Sequence, residues 1–203
     1  FLPFGNIPRE NALCPWCHSL ERTRVLCAYL ERETDIFRKD VKILHFAPEW
    51  AIAKKIKKSV SRRGYVTGDI NPALADRVVD ITDICFPAGT FDYVICSHVL
   101  GHVKDEALAI DEMYRVLKNG GEALVMTLIN PNNPVTYENP GLLSPAQRLE
   151  HYGEPDLLRL HGADFIQRLG RETVHVEEID YTQKLTAAEN RWMSTGNKER
   201  ELI

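Results

Sequence analysis

Short apolar runs alternate with segments of helical periodicity along most of the chain. Apolar runs of four to eight residues are typical of strands, whereas apolar residues spaced three and four apart predict helices. In chain order, these patterns predict strand 41–46, helix 51–60, strands 65–67, 77–79 and 91–96, helix 104–117, strand 122–129, helix 155–169 and strand 173–181. This alternation indicates parallel strands joined by crossover helices, and therefore an α/β sandwich.

Two segments outside this alternation add to the prediction. A further helix precedes the sheet, running to about residue 32 with an N-cap offered by Ser19. Residues 130–145 hold four prolines and few periodic apolar positions, which predicts a long loop after a strand. Loops of this length in compact domains are usually functional or disordered.

Composition narrows the class of protein. The chain has 203 residues, 44% hydrophobic and 27% charged, which is typical of one main globular domain. Its net charge of −4 provides no global basic field, so neither a nucleic acid nor a membrane is expected as a partner. No apolar run reaches about 18 residues, and we expect a cytoplasmic protein. Because the chain starts at Phe1 and ends on Ile203, both ends are interpreted as truncated.

A run of basic side chains between residues 54 and 63 has two interpretations. It resembles a nucleic-acid-binding patch, but no aromatic residues are interleaved for base stacking. The favoured interpretation is the solvated face and carboxyl end of the first crossover helix, where positive charge is favourable.

The five cysteines are an odd number spread along the chain, which argues against a disulfide framework. Cys14 and Cys17 have the spacing of half a zinc site, but no second pair follows with the spacing of a zinc ribbon. The pair is therefore either an ordinary turn or an incomplete metal site. Redox chemistry fits less well, because the pair precedes the first strand instead of opening a helix after one.

The residues that follow each strand are the candidates for ligand binding, since open α/β sheets bind ligands beyond the carboxyl ends of their strands. After the first strand, Ala47, Pro48 and Glu49 stand where a dinucleotide-binding protein needs glycines. A methyl group, a missing N–H and a carboxylate all disfavour a phosphate at this turn. S-adenosylmethionine, which has a sulfonium and no phosphate, suits such a turn better than NAD, FAD or ATP.

Two acidic residues after the next strands support this cofactor. Asp69 is placed to accept hydrogen bonds from the ribose hydroxyls, and Asp80 to accept one from the adenine amino group. Taken singly, either residue is better explained as a turn former or helix cap, and the ordered set of such residues is what favours the cofactor.

The block DITDICFPAGTFDYVICSHVLGHVKDEALAIDEMYRVLKNGGEALV, residues 80–125, resembles the class I S-adenosylmethionine-dependent methyltransferases. The resemblance extends over roughly residues 40–182. It implies a Rossmann-like α/β sandwich with a mostly parallel seven-stranded sheet, helices on both faces and a truncated last strand. The cofactor-binding residues that it implies, together with their strand-end neighbours, are Ala47, Pro48, Glu49, Asp69, Ile70, Asn71, Asp80, Ile81, Ser97 and His98.

The sequence departs from this family at two places. His45 replaces the usual acid of the first strand, and Gly101 stands where many small-molecule methyltransferases carry a glutamate before the histidine matched by His102. Within the family, the segments CPWCHSLERTRVL, LHFAPE and HGADFIQRL resemble a bacterial subgroup with an N-terminal Cys-X-X-Cys segment. Members often carry a second such pair further upstream, which implies structural zinc in the full-length protein. We therefore divide the chain into a Cys-pair segment with its helix, 1–34, and a methyltransferase domain, 35–203.

The chemistry of methyl transfer points to further residues. A hydroxyl or amine acceptor must lose a proton, and His98 and His102, four residues apart, are candidate bases that could share one face. The alternative is that they are packing residues. Tyr152, Arg159 and His161 are candidates for acceptor binding, with Arg159 either clamping an anionic group or forming a surface pair with Asp164.

These residues together predict a methyltransferase that acts on a small-molecule acceptor as a monomer or homodimer. The alternatives are a non-catalytic binding module that retained the fold and, less well supported, an NAD-dependent oxidoreductase.

Overall fold

The predicted strand–helix alternation is present in the computed structural model of the protein, which describes residues 1–6, 8–37, 40–130 and 132–195, and the backbone alone at 201–202. The strands are β1 (Leu2–Phe4), β2 (Arg9–Leu13), β3 (Ile43–Phe46), β4 (Tyr65–Asp69), β5 (Arg77–Val78), β6 (Phe91–Ser97), β7 (Leu117–Leu128), β8 (Tyr137–Glu138), β9 (Arg159–Leu160) and β10 (Glu201–Leu202). The α-helices are α1 (Glu21–Arg32), α2 (Trp50–Ser59), α3 (Glu106–Val116), α4 (Pro145–Tyr152), α5 (Phe165–Leu169) and α6 (Ala187–Met193).

The central sheet has the strand order β10-β7-β6-β3-β4-β5. Strands β3 to β7 are parallel to one another, and β10 pairs with β7 in the antiparallel direction. The sequence predicted seven strands in this sheet, and six are present in the part of the chain that the structure describes. Because all five parallel strands end at the same edge, the residues after β3, β4, β6 and β7 are brought together there.

Both faces of the sheet are buried, which explains why its strands are continuous apolar runs. Along β3, Ile43 packs into one core with α1 and α2, while its neighbour Leu44 packs into a second core with α3. Strand β6 alternates in the same way, with Ile95 in the first core and Val94 in the second. The side chains of successive residues point to opposite faces of a strand, so a sheet covered by helices on both sides needs apolar residues at every position.

The predictions for the last third of the chain were wrong. The predicted helix 155–169 is helical only over α5, because Arg159 and Leu160 instead pair with Glu138 and Tyr137 as the two-stranded β8–β9 ribbon. The segment predicted as strand 173–181 lies beside β7 and lines a cleft with it, but no strand ladder forms there.

A helix that the sequence analysis missed, α4, begins where the predicted loop 130–145 ends. Its start is a capping box between Ser144 and Gln147 with Pro145 at the first helical position, and Gly153 ends it at a φ of 85°. The first helix also begins differently from the prediction, because Leu20 and not Ser19 occupies the N-cap. Within the described residues, none of the helices has the length and apolarity that crossing a membrane would require.

Candidate cofactor and acceptor site

The turn after β3 has the backbone conformation of a glycine turn without the glycine. Ala47 has a φ of 44°, in the left-handed region that alanine rarely adopts, and its N–H donates to the carbonyl of Gly68 at 3.0 Å. Pro48 then leads into Glu49, whose extended backbone forms the N-cap of α2 without a side-chain capping bond. The Glu49 carboxylate therefore does not cap α2 and is available for other hydrogen bonds.

That carboxylate is fixed between the carboxyl ends of β3 and β6. Glu49 accepts hydrogen bonds from His45 Nε2 at 3.1 Å and from Ser97 Oγ at 2.8 Å. Burial alone would raise the pKa of the Glu49 carboxyl, but the bonds from His45 and Ser97 outweigh it, and the pKa lies below its ordinary value. A partly buried, ionised carboxylate whose oxygens can accept further hydrogen bonds is suited to a cationic ligand group.

His45, the departure from the usual acid of the first strand, has a clear role in this arrangement. Its ring is fully buried, and its Nδ1 lies 2.8 Å from the hydroxyl of Tyr65. Because a carboxylate can only accept, Nε2 carries the proton towards Glu49, and Nδ1 accepts from Tyr65, whose own pKa is raised by burial. Tyr65 thus orients His45, and His45 in turn orients the Glu49 carboxylate. The acidic group lies in the turn after β3, while a histidine occupies the strand position.

The residues after β4 and β5 form tight turns at the same edge of the sheet. Asp69 Oδ1 accepts from the N–H of Asn71 at 2.8 Å, and the intervening Ile70 is exposed. Asp80 Oδ1 accepts from the N–H and the hydroxyl of Thr82 at 2.8 and 2.7 Å, next to the buried side chain of Ile81. Both acids are therefore turn formers, as the alternative interpretation expected, and both lie at strand ends on the carboxyl edge of the sheet.

A cavity of about 320 Å³ opens beyond the ends of β6 and β7. It brings together all five residues that the sequence suggested for acid–base chemistry and acceptor binding: His98, His102, Tyr152, Arg159 and His161. Thr127 at the end of β7 also lines it, as do Arg9 and Arg22 from the N-terminal region. Residues from distant parts of the sequence thus share one space of a size suited to a small molecule.

The two candidate bases differ from the expected helical pair. His102 ends the 3₁₀ turn Leu100–His102, and His98 lies before this turn. The two histidines therefore do not lie on one α-helical face. His98 is half-buried with a φ of 55°, and its N–H donates to Met126 O at 2.8 Å. His102 Nδ1 lies 3.4 Å from Asp156 Oδ2, while its Nε2 lies 4.0 Å from Glu154 Oε2.

Arg159 is a structural residue, contrary to both interpretations of the sequence. Its side chain is buried, and the guanidinium donates to Leu100 O at 2.7 Å and to Val103 O at 2.5 Å. It also forms an ion pair with Glu138 at 3.0 Å, so the expected surface pair with Asp164 is wrong. These bonds fix the 3₁₀ turn that carries His102 instead of leaving a guanidinium for an anionic acceptor.

His161 is held by two residues that the sequence analysis did not select. Its Nδ1 lies 2.8 Å from Thr127 Oγ1 and its Nε2 lies 2.5 Å from Glu106 Oε1, and all three side chains are buried. Glu106 also accepts from Arg168 at 2.7 Å. Burial would raise the pKa of Glu106, but His161 and Arg168 lower it overall. The available signal was a polar residue near the end of strand β7 and a glutamate in the first turn of α3, the helix that precedes this strand.

Two other side chains complete the description of the cavity. Tyr152 is buried, and its hydroxyl accepts from the N–H of Asn139 at 2.8 Å. A Cβ at Gly101 would lie 2.7 Å from Leu157 Cδ2, so any larger side chain at this position would require the Leu157 side chain to shift.

Cys14 and Cys17 lie in a turn closed by the bond from His18 N to Cys14 O at 2.9 Å. The backbone N–H of Cys17 contributes most to a lowered pKa of the Cys14 thiol, and Cys17 Sγ lies 3.2 Å from Ser19 Oγ. In the part of the chain that the structure describes, the cysteine pair belongs to no group of three or more side chains spaced to hold a metal. The one such group is His102, Glu154 and Asp156 at the cavity.

Comparison with known proteins supports a methyltransferase domain in this chain. Residues 40–125, less than half of the chain, match the model of the methyltransferase domain family. A ubiquinone/menaquinone biosynthesis C-methyltransferase, UbiE, from a Geobacter species is 30% identical over 93 residues, which is 45% of this chain. The match spans 36% of that relative, so it covers about a third of its length.

The solved structures show the fold. An S-adenosylmethionine-dependent methyltransferase from Mesorhizobium loti is similar with a TM-score of 0.59, covering 90% of this chain and 95% of the other at 16% identity. The YcgJ protein of Bacillus subtilis is similar with a TM-score of 0.54, covering 86% of this chain and 82% of the other, also at 16% identity. The predicted Rossmann-like methyltransferase fold is confirmed.

Proposed function

We propose that the chain transfers a methyl group from S-adenosylmethionine to a small-molecule acceptor. The observation that carries this proposal is the partly buried, ionised Glu49 carboxylate, held by His45 and Ser97 at the carboxyl edge of the sheet. The family match over residues 40–125 supports the same reaction. Acceptor identity, a monomeric or homodimeric state, a cytoplasmic location and the division into 1–34 and 35–203 remain predictions.

The acidic side chains at this edge, which accept hydrogen bonds, fit S-adenosylmethionine better than a nucleotide with phosphates. The Glu49 carboxylate would attract the ammonium of the methionine moiety, whereas it would repel a pyrophosphate. Asp69 would accept from the ribose hydroxyls, with Ile70 and Asn71 beside the ribose, and Asp80 with the backbone of Ile81 would meet the adenine. Ala47 and Pro48 supply the turn that the amino-acid moiety would approach.

Bound S-adenosylmethionine supplies an electrophilic methyl group on a sulfonium sulfur. The chain's own task is then to align an acceptor, exclude water and remove the acceptor's proton. The cavity beyond β6 and β7 is the proposed acceptor site, and His98, which lines it at the end of β6, would lie between cofactor and acceptor. His98 and His102 remain candidate bases, and Tyr152 and His161 candidate acceptor contacts.

Calorimetric titration with S-adenosylhomocysteine tests the proposal directly. We expect saturable binding, and no binding of NADH, which carries phosphates. Absence of any heat or thermal shift with millimolar S-adenosylhomocysteine would contradict the enzyme and leave the non-catalytic binding module. If the ligand binds, transfer of a radiolabelled methyl group to a panel of small hydroxyl and amine compounds then separates an enzyme from a module that only binds the cofactor.

A zinc-binding role for Cys14 and Cys17 remains a proposal. A structural zinc site needs four ligands, and this pair supplies two. Elemental analysis of the 203-residue chain purified with zinc should give much less than one ion per chain. Stoichiometric zinc in this chain would show that His18 or another side chain completes the site.

A further inference from the structure

A chain of three buried polar side chains runs from the acceptor cavity into the protein. Thr127, His161 and Glu106 are each less than 5% exposed, yet Thr127 and His161 line the cavity. The hydrogen bonds join Thr127 Oγ1 to His161 Nδ1 and His161 Nε2 to Glu106 Oε1, so each nitrogen of the ring has one partner. Burying a polar group is unfavourable unless it forms hydrogen bonds, and these three side chains do so. One end of this hydrogen-bonded series, Thr127, lies at the cavity.

The direction of these bonds follows from the chemistry of the groups. Glu106 is ionised, since bonds from His161 and Arg168 lower its pKa despite burial, and a carboxylate can only accept. His161 Nε2 must therefore carry a proton. In the neutral ring Nδ1 is then an acceptor, and Thr127 donates its hydroxyl proton to it. The lone pairs of Thr127 Oγ1 are left to accept a proton or hydrogen bond from a molecule in the cavity.

We propose that Thr127, His161 and Glu106 form a proton relay for a hydroxyl group bound in this cavity. The inference rests on the proposed function and specifies its acceptor class as a small molecule that carries a hydroxyl. As the bond between acceptor oxygen and methyl carbon forms and the sulfonium–methyl bond breaks, the acceptor proton passes to Thr127 Oγ1. The proton of Thr127 passes at the same time to His161 Nδ1. The resulting imidazolium is stabilised by the Glu106 carboxylate.

The relay differs from the bases that the sequence suggested. Both nitrogens of His102 face carboxylates, Glu154 and Asp156, whose side chains are 50% and 73% exposed, so these partners of His102 lie at the surface. His161 is instead fixed on both sides within the protein. A base whose orientation is fixed in advance loses little entropy when it acts.

The relay can be tested without knowing the natural acceptor, with 4-nitrophenol as the probe. Its anion absorbs visible light, so absorbance reports whether the bound hydroxyl has lost its proton. The wild-type protein, saturated with S-adenosylhomocysteine, is added to the probe at one pH unit below the pKa of free 4-nitrophenol. We expect the phenolate band to increase, and 4-nitroanisole, which has no proton to give, to bind at least tenfold more weakly.

Matched variants distinguish a relay from a structural role. Thr127→Val and His161→Gln should abolish the increase in the phenolate band, whereas Thr127→Ser, which keeps the hydroxyl, should retain it. Thr34→Val removes a buried threonine hydroxyl that bonds Leu30 O, away from the cavity, and should not change the band. Binding of S-adenosylhomocysteine by each variant verifies that it is folded, and if Thr127→Val does not fold, His161→Gln carries the test.

Three results would overturn the relay: no increase in the phenolate band with the wild type, the same increase in Thr127→Val, or equal binding of 4-nitroanisole. These outcomes are separable from failure of the proposed function. If S-adenosylhomocysteine does not bind, the methyltransferase proposal fails, while the same probe titration on the ligand-free protein still decides whether the hydroxyl relay exists.

Discussion

Replacing Glu49 with glutamine should weaken the binding of S-adenosylhomocysteine while leaving the turn after β3 in place. Glutamine has the same shape, and its amide oxygen can still accept from His45 Nε2 while its amide nitrogen donates to Ser97 Oγ. What it removes is the negative charge. Because 19% of the Glu49 side chain remains exposed, a ligand ammonium can reach the oxygen atoms that His45 and Ser97 hold.

The magnitude follows from the kind of bond that is lost. A hydrogen bond to a charged group contributes about 1.5 to 3 kcal/mol. With about 1.4 kcal/mol for each factor of ten, the dissociation constant of S-adenosylhomocysteine should rise about 10- to 100-fold. Isothermal titration calorimetry on the wild type and Glu49→Gln measures this directly.

A second ligand makes the test specific for the ammonium contact. 5′-Methylthioadenosine shares the adenosine and sulfur but lacks the amino-acid group, so its affinity should be the same in both proteins. Equal weakening of both ligands would mean that the substitution distorts the turn. Unchanged binding of S-adenosylhomocysteine would refute the assignment of Glu49 to the cofactor, and with it the observation on which the proposed function rests.

Asp69→Ala should raise the dissociation constant of S-adenosylhomocysteine at least tenfold through loss of the ribose contacts. Asp111 is an exposed acid on α3, and Asp111→Ala should leave the dissociation constant unchanged. Equal affinities of the two variants by calorimetry would make Asp69 only a turn residue. Arg159→Met should lower the free energy of unfolding by about 1 to 3 kcal/mol, because the carbonyls of Leu100 and Val103 lose a buried charged donor. Arg32→Met, which breaks an exposed pair with Glu189, should have a much smaller effect in urea titrations; similar losses would contradict the buried role. The lowered pKa of Glu106 means that its carboxylate stabilises the fold above the ordinary carboxyl pKa of 4.5, and this stability is lost as the pH falls through the folded-state value. Glu106→Gln should therefore be less stable at neutral pH but lose less stability on acidification below about pH 5; parallel stability–pH curves would show that Glu106 is not ionised in the fold.

The sequence by itself determined the α/β core and the edge of the sheet at which the candidate site lies. Strands β3 and β6 were predictable because a sheet covered on both faces requires long apolar runs, which few other structures produce. The turn at Ala47 to Glu49 was also recognisable as unsuited to phosphate, since that conclusion depends on the residue types alone. Local patterns of this kind depend only on residues that are close together in the sequence.

The arrangement of residues around the cavity beyond β6 and β7 was decided by the tertiary structure. The β8–β9 ribbon stands where a helix was predicted, and in it the buried Arg159 side chain pairs with Glu138, a residue 21 positions earlier, which no local periodicity reveals. Likewise, His161 was selected as a site residue, but its partners Thr127 and Glu106 lie 34 and 55 residues away. The sequence specifies which groups can donate, accept or carry charge, whereas their pairing depends on which strand ends and helix starts the fold brings within hydrogen-bonding distance.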